Sequence, residues 1–112
     1  MRIVKICQGL PQGVSVAVCA GLGDHILLYG GELEPSARGH EGAGNFSSQA
    51  VVFTYKAGGL KEVRRGEGPP ARGWADGAVW RGDRLVVVGG LTGDDTSPVR
   101  LADVWVGKLN QM

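Results

Sequence analysis

Two segments dominate the apolar pattern of the chain: HILLYGG at 25–31 and RLVVVGG at 84–90. Each is apolar at successive positions rather than alternate ones, and each stops on two glycines. A short run that is apolar on both faces is what a strand buried on both sides requires. Weaker runs flank the pair. VSVAVCA (14–20) and the less clear ADGAVW (75–80) precede the bursts, and QAVVFTY (49–55) and DVWVGKL (103–109) follow them. LKEVRR (60–65) alternates with charge, as an exposed edge strand does. The connections GLGD and RGD carry tight-turn chemistry, glycine supplying positive φ without a Cβ clash. Nowhere do apolar residues recur at i, i+3, i+4 and i+7, so no substantial helix is predicted and the chain reads as all-β.

The two bursts belong to an internal repeat. Shifting the sequence by 59 residues lays 1–31 on 60–90 without a gap: Val4 meets Val63, Gly9 meets Gly68, and Pro11 meets Pro70. Gly23-Asp24 then meets Gly82-Asp83, and Gly30-Gly31 meets Gly89-Gly90. After the double glycines the copies differ in loop length before the next strand. A repeat of this period points to stacked supersecondary units, each needing a neighbour to cover its faces.

Composition and charge narrow the function classes. The chain has 112 residues, at most one ordinary domain. Its 20 glycines are spread without a G-X-Y period, as many tight turns require. A net charge of +1 gives no pull toward nucleic acid or an anionic membrane. Apolar runs of four to seven residues are far short of the roughly 20 that span a bilayer. With Cys7 and Cys19 alone there is no disulfide framework and no zinc-ligand spacing, so a reducing, cytoplasmic setting is expected. There is no Ser/His/Asp or Cys/His set, no paired carboxylates in a recognisable motif, and no phosphate-binding glycine loop.

Four-stranded units that grow more polar along the unit, closed by Gly-Gly, preceded by a GD turn and followed by LADVWV (101–106), resemble kelch repeats. The resemblance implies an all-β, kelch-type β-propeller fragment of about two four-stranded antiparallel blades. Residues 1–9 would hold the fourth strand of a preceding blade, beginning at RIVKI (2–6). A first blade would run over about 13–65 and a second over about 73–112, lacking its own fourth strand. Gly30, Gly31, Gly89 and Gly90 are then architectural, ending the second strand where blades crowd together. LYGGELEPSARGHEGAGNF (28–46) and PPARGW (69–74) are further similar to the last two blades of plant nitrile-specifier and epithiospecifier proteins and their fungal kelch relatives. That family steers glucosinolate breakdown products with ferrous iron, through a Glu-x3-Asp-x3-His ligand pattern. This chain lacks the pattern, so no metal or other cofactor is expected to bind it alone.

The long connections 32–48, 66–74 and 91–100 fall at one end of such units, where loops on a rigid scaffold carry recognition. The candidate binding face comprises His40, Glu41, Arg72, Trp74 and Asp94. His40 with Glu41 reads either as a ligand or metal site or as a solvated turn. Arg72 is suited to a bidentate clamp on a ligand's carboxylate or sulfate, or to an inter-blade hydrogen bond with backbone. Trp74 reads as a stacking platform or as a wedge between blades, and Asp94-Asp95 as a solvated turn. The expected function is a kelch-type interaction module, a fragment or truncated product of a longer propeller. Its partner would be another protein, the remaining blades, or further copies of the chain joined head to tail into a ring of two to four. The alternative is a remnant of an iron-dependent specifier-like protein without its metal-binding blade.

Overall fold

The computed structural model describes residues 1–3, 13–34, 44–56 and 59–109. They form nine strands and, among the described residues, no α-helix: β1 (Val18–Leu22), β2 (His25–Tyr29), β3 (Glu32–Glu34), β4 (Asn45–Phe46), β5 (Gln49–Lys56), β6 (Gly59–Glu67), β7 (Asp76–Trp80), β8 (Arg84–Gly93) and β9 (Pro98–Lys108). The chain is all-β, as its pattern predicts, and every strand pairing is antiparallel. One sheet has the order β1-β2-β5-β6 and another β7-β8-β9, while β3 and β4 make a separate small ladder. The strand expected at 2–6 runs into residues outside the described set.

Each sheet is a meander because short turns join its first two strands. Leu22 pairs directly with His25 across a two-residue turn led by Gly23 at φ 58°. The corresponding β7–β8 turn places Arg81 and Gly82 at φ 57° and 76°. Such left-handed positions match the twist of antiparallel strands. β6 is exposed along most of its length, the edge strand that its alternation with charge predicts.

The core lies between the two sheets. Val18, Leu27, Tyr29, Ala50 and Val52 from the first meet Leu85 and Val87 from the second, closed by Leu109. Leu27 faces Val52 across the ladder and Tyr29 faces Ala50, so one side of β2 and β5 supplies this layer. Gly77 lets β7 approach β1: a Cβ there would stand 2.8 Å from Val18 Cγ1. At the far end, the Leu109 N–H donates to Asp83 O (2.8 Å) and Arg64 Nη1 donates to Leu109 O (2.9 Å), fastening the end of the second sheet to the edge of the first.

Three boundaries depart from the sequence reading. The first strand begins at Val18 rather than 14, because Ser15 is drawn into a bridge with Glu32 and Val16 takes φ 52°. The segment 32–48 is not wholly irregular, since β3 and β4 pair at its root. The segment 91–100 is a hairpin rather than an open loop: Leu91, Thr92 and Gly93 pair with Arg100, Val99 and Pro98.

These departures share a cause. The double glycines kink strands that then resume pairing. β8 passes through a bulge between Val88 and Gly90 and continues to Gly93. β2 ends at Tyr29, turns at Gly30-Gly31, and pairing restarts in β3. Gly30, Gly31, Gly89 and Gly90 take φ of 71°, 96°, 64° and 107°. A Cβ on Gly31 would lie 2.8 Å from Ser15 O, and one on Gly90 2.7 Å from Gly73 O. Both conformation and space demand glycine. Gly31→Ala and Gly90→Ala are each expected to lower stability by about 2 kcal/mol or more, whereas Gly59→Ala, with open space and ordinary φ, should stay within about 0.5 kcal/mol. Urea unfolding of the three variants measures this, and equal small effects would remove the glycine requirement.

Candidate functional site

The segment Arg72-Gly73-Trp74, which carries the chain from the first sheet to the second, lies between the two kinks. Gly31 N–H donates to Arg72 O (2.8 Å), and Arg72 N–H donates to Ser47 O (3.3 Å). Gly73 exchanges two hydrogen bonds with Leu91, at 3.0 and 2.8 Å, and Trp74 N–H donates to Val16 O (3.0 Å). A side chain on Gly73 would strike the Phe46 ring, 2.8 Å from Cε1. The segment thus behaves as a short extra strand, held on both sides.

Arg72 is the largest fully buried side chain among the described residues, 1% exposed. Burying a guanidinium is costly unless its donors are matched. Here Nε donates to Pro70 O (3.0 Å) and Nη1 to Gly89 O (3.0 Å), while Nη1 and Nη2 clamp the two carboxylate oxygens of Asp103 at 2.6 and 3.1 Å. Trp105 Nε1 donates to the same carboxylate (2.7 Å). The Tyr29 hydroxyl lies between Pro69 O (2.9 Å) and Pro70 O (2.8 Å), one of which accepts its proton. Burial pushes the Tyr29 hydroxyl above its usual value, keeping it a donor. The Arg72 guanidinium, then the Trp105 indole, hold the Asp103 carboxyl down to about 2.

Arg72 bonds backbone at Gly89 O, and its bidentate fork is taken up by the chain's own Asp103. Its guanidinium ties together the inter-sheet segment, the β8 bulge and β9 and is itself buried, while the Asp103 side chain stays 39% exposed. Asp103 and Trp105 are the residues that the sequence reading missed as a site. The available signal was strand alternation, which sets Leu101, Asp103 and Trp105 on one side of LADVWV.

Trp74 stands apart from this network. At φ 60° its backbone is in a conformation rare for a bulky residue. Its side chain lines an open cleft of about 330 Å³ with Gly90, Leu91 and Arg100. Asp94 lies elsewhere, in a shallower opening with Glu34, Asn45 and Thr96. It accepts from Thr96 Oγ1 (2.7 Å) and from the N–H groups of Thr96 (2.9 Å) and Ser97 (2.8 Å), a self-contained turn. These bonds lower its pKa. His40 and Glu41 lie outside the described residues. Among the described residues no three His, Cys, Asp or Glu side chains converge. Among them, too, no helix is long and apolar enough to cross a membrane.

No known family model matches the chain, and no curated protein is significantly similar to it.

The Arg72–Asp103 clamp gives an acid-limb expectation. An unfolded aspartate titrates near 3.8 and folded Asp103 near 2. Its contribution is complete above about pH 4 and is lost as pH falls from there through 2, because the unfolded chain takes up the proton first. Asp103→Asn should flatten this limb in denaturant titrations between pH 5 and 2. Arg72→Lys, which loses the planar fork, should cost about 2 kcal/mol at pH 7. An unchanged acid limb in Asp103→Asn would show that the clamp contributes nothing to stability.

Proposed function

We propose that this chain is a pair of kelch-type propeller blades working as a non-catalytic interaction module, with its recognition surface at the loop end of the sheets. The reading rests on one observation above all. The inter-sheet segment is locked between two Gly-Gly kinks and delivers Trp74, in a strained conformation, to an open cleft beside Arg100. Backbone strain at a bulky residue persists only where the surroundings over-determine it, and it concentrates at binding sites. An indole face, the Leu91 side chain and a guanidinium suit a peptide with an acidic residue beside an apolar one. Further blades or other proteins are the natural partners of such a module, in a reducing, cytoplasmic setting where exposed Cys19 stays a thiol.

The test is selection of binders from a random peptide library on the whole chain, followed by titration of the enriched peptides. The expected peptides are acidic and apolar, and Trp74→Ala and Arg100→Ala should each weaken them at least about tenfold, or about 1.4 kcal/mol. Binders indifferent to both substitutions would overturn the assignment.

A further inference from the structure

The β7-β8-β9 sheet turns one face to the first sheet and leaves the other open. Strand register arranges the open face in three rows. Trp80, Arg84 and Lys108 form one end, Ala78, Val86 and Val106 the middle, and Asp76, Val88 and Val104 the other end. Val88, Val104 and Val106 are 47%, 63% and 53% exposed. Contiguous apolar exposure on one sheet face marks an interaction surface. The repeat strengthens the point. Val86 and Val88 align with Leu27 and Tyr29, the buried residues through which the first sheet packs on the second. Equivalent positions carry an interface in one repeat and meet solvent in the other.

The shape of the rest of the chain decides which surface can cover this face. In head-to-tail stacking, its partner would be the first-sheet face equivalent to Leu85 and Val87, namely Ile26 and Leu28 with their ladder neighbours Phe53 and Val51. Phe53 and Val51 are only 5% and 8% exposed, so that face is not open. The exposed face is left to meet its own kind. Its charges are arranged for this. Arg84, ion-paired with Asp83 (2.6 Å), and Lys108 lie at one end, with Arg81 stacked 4.6 Å over the Trp80 ring, and Asp76 lies at the other. A two-fold axis in the interface and perpendicular to the strands lays β7 on β7 and sets each Asp76 over the other copy's Trp80, on which Arg81 is stacked. An axis parallel to the strands would set Arg84 on Arg84 and Asp76 on Val104.

We propose that the chain forms an isologous dimer through the outer face of β7-β8-β9, with strands reversed between copies and Val86 of the central strand nearest the two-fold axis. Three strands spaced about 4.8 Å, paired over about five residues of 3.4 Å each, make a small face, so the pair belongs to the weak class under about 1,200 Å². Association is reversible and rises with concentration. The proposal is independent of the peptide-binding reading, since neither Trp74 nor Arg100 lies in the three rows.

Sedimentation velocity across about 1–300 µM tests it, the range suited to weak association. Wild type should pass from monomer to dimer and no further. Val106→Lys should remain monomeric throughout, and Asp76→Lys should weaken the dimer at least about fivefold. The triple variant Asp76→Lys/Arg84→Glu/Lys108→Glu should restore it. Independently of whether the charged variants fold, Val86→Cys in a Cys7→Ser/Cys19→Ser background should form a disulfide-linked dimer on mild oxidation, while Lys61→Cys on β6 should not. A monomer at every concentration, assembly beyond two copies as in a head-to-tail ring, dimerisation unaffected by a folded Val106→Lys, or no Val86→Cys cross-link would each overturn the proposal.

Discussion

The structure turns on how the chain crosses from one sheet to the next. Residues 72–74 pass between two strand kinks with too little room for a side chain on Gly73, Gly31 or Gly90. Their backbone groups are taken up by Gly31, Ser47 and Val16 from the first repeat and by Leu91 from the second. The Arg72 side chain then turns inward and gathers the carbonyls of Pro70 and Gly89 together with the Asp103 carboxylate. Each sheet is locally self-sufficient in hydrogen bonds, but their relative placement depends on this crossing and on the apolar layer beneath it. A buried guanidinium with matched donors resists sliding in a way that a layer of valines does not, because displacement would strand charge away from water.

The same crossing accounts for the character of the loop end. Trp74 is held at φ 60° because Gly73 is bonded on one side to Leu91 and Trp74 itself to Val16. The indole is thereby presented on a platform that owes its rigidity to residues elsewhere in the chain. The clamp and the cleft are neighbours. Arg72 is held inside the fold, and among the described residues Arg100 is the cation that lines the cleft.

Stacking of unlike faces explains why both bursts are apolar at successive positions. The first sheet packs through Leu27 and Tyr29, the second through Leu85 and Val87, which are not repeat equivalents. The valine-rich flank of the second sheet carries the repeat equivalents of Leu27 and Tyr29 and is the exposed counterpart of that packed face.

The sequence by itself determined the strand class, the two meanders, the turns between their first strands, and the need for glycine at 30–31 and 89–90. Those features are set by period, by β-branched runs and by φ preference, all of which act over a few residues. What the glycines do was not legible: termination and a kink with resumed pairing demand the same local dihedrals. Whether a ladder restarts depends on what lies alongside, and here Glu32 finds Ser15 while Leu91 finds Gly73. Arg72 was recognisable as a candidate clamp, yet its carboxylate lies 31 residues away on a strand aligned through a bulge. A residue's neighbours along the chain cannot specify a partner at that separation. Only the packed sheets could decide it, because they set which face of β9 meets the inter-sheet segment and so which carboxylate the Arg72 fork reaches.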